Sequence, residues 1–390
     1  MKAVILAAGE GNRLEPLTAN RPKPMIPVAN KPVLEYVVEA VADAGIQEIV
    51  LVVGYERSRI QSHFGDGDDW DVAIEYAVQE KQLGTGHAAL QARPHVDEPF
   101  LVLNGDRIID PTAIERVTTA CEGSDVEAIA TVTSVDIPTR YGVVDIDQEH
   151  VQRIREKPPE NEASSDLINA GVYAFRPSVF ERLDQTVAGT HGETGLPSTL
   201  NDLATTETVR AVRYDGRWLD LTYLWDLPFL NGRLLEQGDG PALNTATVSE
   251  QASIARDVSM ARGTHVRPFA TIGQGVALAE NVTVGANAVV ANTVIMADAT
   301  IEPGAVVTDA VIGQNATVGA NATIAGGRGD LVVEGTFHEA VRLGGVVGDN
   351  ATLGANVTLS PATVVGTDAT VESGVTLDRR VPEGTEVRRG

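Results

Sequence analysis

The chain has one cysteine, Cys121, in 390 residues. That excludes an internal disulfide and leaves the redox compartment open, with the cytoplasm as the default expectation. Lysine is almost as scarce, standing only at positions 2, 23, 31, 81 and 157, so nearly all of the 30 basic residues are arginines. No uncharged apolar run reaches membrane-spanning length, which excludes a spanning helix. The opening MKAVILAAG imitates a signal peptide, but its apolar run is short and GEGNR stands where a cleavage region would, so it reads as a first core strand. Nor is there a basic stripe or an aromatic-basic surface, and a formal net charge of -24 would repel a phosphate backbone; nucleic acid is disfavoured as a partner. What is present is acid in excess over a chain that is 43% hydrophobic, enough for two domains with real cores. An acidic, lysine-poor surface suits a protein kept soluble in concentrated salt, where like-charge repulsion is screened, and a halophilic host is the expectation.

Residues 1 to 32, MKAVILAAGEGNRLEPLTANRPKPMIPVANKP, carry the first chemical signal. The apolar run Ala3 to Ala7 reads as a short buried strand that leads directly into Gly9, Gly11 and Arg13. Glycines after a strand bring backbone N–H groups close to an anion, and a nucleotide phosphate is the obvious one. The spacing is not GxxxxGK[ST], and the third position of a GxGxxG is Leu14. The turn's company sharpens it: Pro22 and Pro24 restrict the backbone on both sides of Lys23.

From Pro32 to about Arg107 the pattern alternates. It predicts a helix over Leu34 to Ala44 ended by Gly45, a strand over Glu48 to Val53, a strand over Val72 to Tyr76, a helix over Thr85 to Ala92, and a buried strand over Phe100 to Leu103 ending in Asn104-Gly105-Asp106. Strands separated by helices imply a largely parallel sheet with ligands at the carboxyl ends, where Gly9 and Asp106 both fall. The segment QEKQLGTGH, Gln79 to His87, lies on the same edge; Gly84 and Gly86 allow close approach, and the Gln79 amide can both donate to and accept from a pyrimidine edge. His87 reads as packing or a polar contact on the following helix. Beyond Asp110 the chain turns β-rich, with strands expected over Ala128 to Val135, Val143 to Ile146 and Ile168 to Phe175. Tyr141-Gly142, Glu156-Lys157-Pro158 and Asn169-Ala170-Gly171 stand between them, residue types that can grip sugar hydroxyls and a phosphate. Arg217-Trp218-Leu219-Asp220 supplies a second carboxylate, and Tyr223 to Leu235 reads as a closing helix.

Composition shifts in a linker at about Gln237 to Asn244, and a repeat takes over. Aliphatics recur every six positions from Val248 to Val290, slip by one residue to Ile295, Ile301 and Val307, slip again to Ile312, Val318 and Ile324, and resume from Val347 to Leu377. So long a run of hexads predicts a parallel β-helix, with residues 325 to 346 as an inserted loop or arm. The hexads, VGANAT and LGANVT among them, resemble those of the left-handed β-helix of hexapeptide acyltransferases. That resemblance implies three hexads per triangular coil and a homo-oligomer, with a trimer favoured.

Residues 1 to 240 resemble the sugar-1-phosphate nucleotidylyltransferases, through LAAGEGNRL, RPKPMIPVANKP, QLGTGH, NGD, EKP, NAG and WLD in that order. The whole chain resembles archaeal two-domain members of that family. The implied fold is α/β: a Rossmann-like mixed-sheet nucleotidyltransferase domain over 1–240, then a left-handed β-helix of hexapeptide repeats over 246–390. By the same resemblance, Arg13 and Lys23 are catalytic and meet the triphosphate and the sugar phosphate. Leu6, Ala8, Gly9, Gly11, Asn12, Gln79, Gly84 and Thr85 hold the nucleotide, Gly142, Glu156, Lys157 and Asn169 the sugar phosphate, and Asp106 and Asp220 a Mg²⁺ ion. Asn12 departs from the family's usual threonine or serine. The implied partners are UTP or dTTP and a sugar-1-phosphate, and the implied product is an NDP-sugar. Bifunctional relatives also acetylate a sugar amine from the β-helix, but here Gly327-Arg328-Gly329-Asp330 stands where their histidine is sought, Arg342 replaces a lysine, His338 is misplaced, and the domain has no lysine. A non-catalytic regulator, on the plan of translation-initiation exchange-factor subunits, is the further alternative; the retained Arg13, Lys23, Asp106 and Asp220 argue against it.

Overall fold

The computed structural model describes residues 1–122, 124–185, 195–238 and 246–389; most of the expected linker, residues 239–245, lies outside the described residues. By contacts the chain forms two units, one of Met1–Glu10, Pro22–Met25 and Val33–Asp220, the other of Gly11–Arg21, Ile26–Pro32 and Leu221–Gly390.

The first unit is built on a nine-stranded mixed sheet: β1 (Ala3–Ala7), β2 (Glu48–Val53), β3 (Ala73–Val78), β4 (Phe100–Asn104), β5 (Ala128–Ser134), β6 (Gly142–Asp147), β7 (His150–Glu156), β8 (Leu167–Phe175) and β9 (Val209–Arg213). Their order across the sheet is β3-β2-β1-β4-β8-β5-β9-β7-β6. Strand β1 is central and pairs in parallel on both sides, Ile5 with Leu51 and with Leu103. Its five residues are all buried, because helices cover both faces and no position is left for a polar side chain. Val4, Leu6, Val50 and Val102 pack on one face; Ile5, Leu51 and Leu103 pack on the other with Leu34, Val37 and Val41 of helix α1 (Val33–Asp43). Strand β8 pairs antiparallel with β4, Val172 against Leu103, and beyond it only β5 and β9 run in parallel. The expected strand over Val72 to Tyr76 lies two residues further on at its far end.

Helix α3 (Thr85–Leu90) falls within the expected Thr85 to Ala92, whereas several elements, helix α5 (Val179–Gln185) among them, had no sequence reading. Helix α2 (Arg57–Phe64) buries only Ile60 and Phe64, and α4 (Pro111–Glu122) only Ala113, Ile114 and Val117, so neither shows a full apolar stripe. Strand β7 alternates weakly because its register slips between Val151 and Arg153, which breaks the period of two.

In the second unit, hexads form three sheets of two- to three-residue parallel strands around an aliphatic column that is buried from Val258 to Val381, with Val248 exposed and Ile254 half-buried in the first coil, the left-handed β-helix of the expectation. The one-residue slips leave the column intact, since Leu278 still pairs with Ile295 and the loss falls in a corner. Asparagines at several corners, Asn281, Asn315 and Asn350 among them, take the left-handed backbone region that this residue tolerates. The insertion is an antiparallel hairpin, Arg328–Val333 with Thr336–Arg342, and across it the coil resumes in register, Ile312 with Val347. The closing helix starts later than expected: α7 spans Asp226–Gln237, because Asp226 Oδ2 accepts from the backbone N–H groups of Thr222 and Tyr223 and holds them in a turn. Contacts place α7 and the Gly11–Arg21 loop in the second unit, whereas the sequence reading assigned both to residues 1–240. Buried Asn231 of α7 bridges Ala29 N–H and the Gly275 carbonyl, each at 2.9 Å. Buried Arg21 pairs with Asp349 at 2.5 Å.

Candidate functional site

In the first unit the site grows from the end of β4. Gly105 N–H donates to the Leu6 carbonyl at 2.9 Å, and a Cβ on residue 105 would stand 2.7 Å from that oxygen. Only glycine permits this approach, which sets Asp106 at the carboxyl edge beside β1. Lys23 Nζ donates to Asp106 Oδ2 at 2.5 Å. The next residue, Arg107, begins a short strand (Arg107–Ile109) antiparallel to Trp218–Asp220, in a register that puts Arg107 opposite Asp220. Its guanidinium pairs with Asp220, reaches 3.7 Å from Asp106 Oδ1, and lies over the rings of Trp218 (5.1 Å) and Tyr141 (5.8 Å). Trp218 is itself pinned by donating from Nε1 to the Ala170 carbonyl.

Electrostatics follow from this packing. Burial alone would raise the Asp106 carboxyl, but Lys23 and then Arg107 hold its pKa down at about 2. Burial would lower Arg107, but Asp220 and then Asp106 raise it, so it stays charged. Asp106, in the turn before Arg107, and Asp220, on the strand paired with Arg107–Ile109, are a hard oxygen donor pair that fits a divalent ion. No cluster of three metal-ligating side chains occurs among the described residues, so such an ion would complete its shell with phosphate oxygens and water.

On the same edge, Gln79 is buried and donates from Nε2 to the Gly84 carbonyl (3.2 Å), and Gln82 Nε2 donates to the Ala8 carbonyl (2.9 Å). Leu6 and Ala8 are buried, while Gly9 is exposed with open space around it. Thr85 Oγ1 accepts from Leu196 N–H at 3.0 Å, which ties the loop to helix α6 (Leu196–Thr206).

Three of the four expected sugar-side residues converge. Gly142 pairs with Glu156 across β6 and β7, and a Cβ at 142 would lie 3.0 Å from Glu156 Oε2 and 3.8 Å from Asn169 Cβ. Asn169 spends part of its amide on its own strand: Nδ2 donates to the Tyr173 hydroxyl at 2.6 Å and Oδ1 accepts from Gly171 N–H. Lys157 is exposed, with a backbone φ of 44°, and its N–H donates to the Tyr141 carbonyl.

The remaining residues of the expected phosphate loop belong to the second unit. Gly11 has a left-handed backbone, Asn12–Leu14 make a 3₁₀ turn, and Thr18 Oγ1 donates to the Gly11 carbonyl. Asn12 is exposed. Arg13 donates from Nε to Glu334 at the hairpin tip, 2.7 Å away. Further along the arm, His338 packs against the stacked rings of Tyr223 and Trp225, 4.9 Å from each, and Asp330 accepts from Ala340 N–H. Arg342 reaches buried Asp309 at 3.3 Å.

Sequence reasoning missed Arg107, whose signal was its place directly after Asp106, and Glu334, for which no signal existed because its partner lies 321 residues away. A mixed sheet that offers a lysine, two carboxylates and a glycine turn on one edge is the framework of a phosphate-handling transferase. The chain belongs to the nucleotidyl transferase family, whose pattern matches residues 2–227, and the GMPPB C-terminal domain pattern matches residues 254–382. It is 39% identical over 238 residues to the bifunctional protein GlmU of Methanococcus maripaludis, a match covering 61% of this chain and 55% of that protein, so the chain spans little more than half the length of this relative. It is 35% identical over 240 residues to the UTP–glucose-1-phosphate uridylyltransferase AglF of Haloferax volcanii, covering 61% of this chain and 98% of that one. Among solved structures, one described as a glucose-1-phosphate thymidylyltransferase of Bacillus anthracis superposes with a TM-score of 0.56 at 27% identity, over 60% of this chain and 94% of that one. No helix among the described residues is long and apolar enough to cross a membrane.

Proposed function

We propose that this protein joins a nucleoside triphosphate, UTP or dTTP, to a sugar-1-phosphate of the glucose or N-acetylglucosamine type, making an NDP-sugar and releasing pyrophosphate. The observation that carries the reading is the cluster of Lys23, Asp106, Arg107 and Asp220 at the carboxyl edge of the sheet. A sugar phosphate oxygen forms the new bond to the α-phosphorus while the bond to the pyrophosphate oxygen breaks in line. With a second phosphate pKa near 6 the nucleophile is already ionised, so no side chain has to remove a proton. The obstacle is repulsion between polyanions, and the residues act by neutralising and orienting them. Asp106 and Asp220 would hold Mg²⁺, which supplies charge neutralisation and orientation of the phosphates. Lys23, released from Asp106, and Arg13, released from Glu334, turn to phosphate oxygens. Gln79, Gly84 and Thr85 face the base; Gly142, Glu156, Asn169 and Lys157 face the sugar.

We assign the β-helix to assembly. An uncharged outward column on one of its sheets, including Thr271, Val289 and Val306, supports self-association, with a trimer favoured; light scattering that gives a monomer mass would overturn this. The function itself is tested by pyrophosphate release over four nucleotides and three sugar-1-phosphates. Turnover with UTP or dTTP is expected, and Asp106→Ala and Arg13→Ala should each cost orders of magnitude. Near wild-type rates in those variants would refute the site.

A further inference from the structure

His87, which the chemistry above does not use, stands beside the residue assigned to the base. Its Nδ1 lies 2.9 Å from Gln79 Nε2. Which end of the Gln79 amide faces His87 is decided by a third group: the Gly84 carbonyl, 3.2 Å from the same atom, can only accept, so that atom is the amide nitrogen. Nδ1 of His87 therefore accepts, and the neutral ring carries its proton on Nε2. A neutral imidazole accepts at one nitrogen only, so the 3.3 Å approach of Gln91 Nε2 to His87 Nε2 is a contact without a hydrogen bond; Gln91 Nε2 donates instead to the His87 carbonyl at 2.9 Å.

Both amide hydrogens of Gln79 are thus spent inside the protein, one on Gly84 and one on His87. Among the described residues nothing donates to its Oε1. The side chain is buried, so it has little room to present anything else. We infer that His87 is a positioning residue for base selection: it locks the Gln79 amide so that the carbonyl oxygen alone meets the base. The group read is then an N–H on the base edge, such as the ring N–H of uracil and thymine; the equivalent ring nitrogen of cytosine is an acceptor and would meet Oε1 lone pair to lone pair. Without the Nδ1 acceptor only the longer bond to the Gly84 carbonyl holds the amide, so the share of molecules in which it turns over and offers its NH₂, the form that suits cytosine, rises.

This inference rests on the reading that Gln79 faces the base, and the experiment separates the two. The readout is kcat/KM for UTP against CTP with glucose-1-phosphate, in wild type, Gln79→Ala, His87→Leu and His87→Asn. Asn keeps an acceptor oxygen where Nδ1 stands. Loss of one locking hydrogen bond should lower the UTP-to-CTP ratio about five- to tenfold in His87→Leu, through KM for UTP with kcat nearly unchanged, and His87→Asn should recover most of it. If Gln79→Ala collapses the ratio while His87→Leu leaves it intact, the positioning role is overturned and base reading by Gln79 stands. If Gln79→Ala leaves the ratio unchanged, base reading falls and the role of His87 falls with it. A His87→Leu variant that loses activity on both nucleotides alike, without rescue by His87→Asn, marks a structural role and also overturns the inference.

Discussion

Removing the Glu334 carboxylate tests the nucleotide loop from an unusual direction. Arg13 is assigned to phosphate, yet it pairs with Glu334 at 2.7 Å, with 41% and 44% of the two side chains exposed. A triphosphate has to displace this carboxylate before it can use Arg13, so the pair subtracts from nucleotide affinity whatever it contributes to the free protein. Exposed ion pairs are worth about 0.2 to 1 kcal/mol, which converts to a roughly 1.4- to 5-fold tighter nucleotide Kd in Glu334→Ala at low salt. In about 1 M salt the screening length falls to roughly 3 Å and the gain should shrink toward zero. Isothermal titration of UTP with Mg²⁺ into wild type and Glu334→Ala, at 0.1 and 1 M KCl, reads both numbers. Weaker binding in Glu334→Ala at low salt would refute the argument, since it would make Glu334 part of the binding site and not its competitor.

Arg107→Met should leave the Asp106 and Asp220 carboxylates without their shared cation and destabilise the metal-free protein by about 3 kcal/mol; millimolar Mg²⁺ should restore much of this in a thermal melt. Arg21→Met should cost about 3 to 5 kcal/mol in urea denaturation, since it leaves buried Asp349 unpaired. Burial raises the pKa of Tyr173 and Tyr214 to about 12. A tyrosine whose folded pKa lies above its unfolded value near 10 adds stability below pH 10 that is lost as pH rises toward 12, up to roughly 3 kcal/mol each. Absorbance at alkaline pH should show these two ionising together with unfolding, and early ionisation in the folded protein would contradict their burial. Purified protein given acetyl-CoA and glucosamine-1-phosphate should consume no acetyl-CoA, as the arm's Asp330 and His338 are engaged with Ala340 and with Tyr223 and Trp225.

The parts of the fold that could be read from sequence are those where one residue type repeats against one environment. Strand β1 is apolar throughout because both of its faces are covered, and the hexads name the β-helix because each coil puts an aliphatic at the same place on each of its three sheets, facing one column. Helices α2 and α4 escaped because two or three buried side chains suffice to seat them. At the candidate site, Gly105-Asp106 and Trp218-Leu219-Asp220 were visible as strand-end carboxylates, and the structure brings their strands side by side through the Arg107–Asp220 register. What stayed hidden is pairwise: which cation rests on which carboxylate, and which way an amide is turned. Those depend on residues far apart in the chain, as Lys23 with Asp106 and Arg13 with Glu334, and no local pattern encodes them.

The way the coil closes over its insertion bears on how such a chain can change. Ala310 and Gly345 are direct neighbours in one sheet, as are Ile312 and Val347, so the ladder passes the hairpin as if nothing intervened. The hairpin therefore hangs from a corner with no aliphatic of the central column inside it. Its length and tip can be rewritten by mutation without disturbing the stack, because the stack senses only the register on either side. If Arg13 meets phosphate as proposed, a backbone that tolerates edits at that corner while the tip residue Glu334 grips Arg13 has a dial for nucleotide affinity that evolution can turn independently of folding.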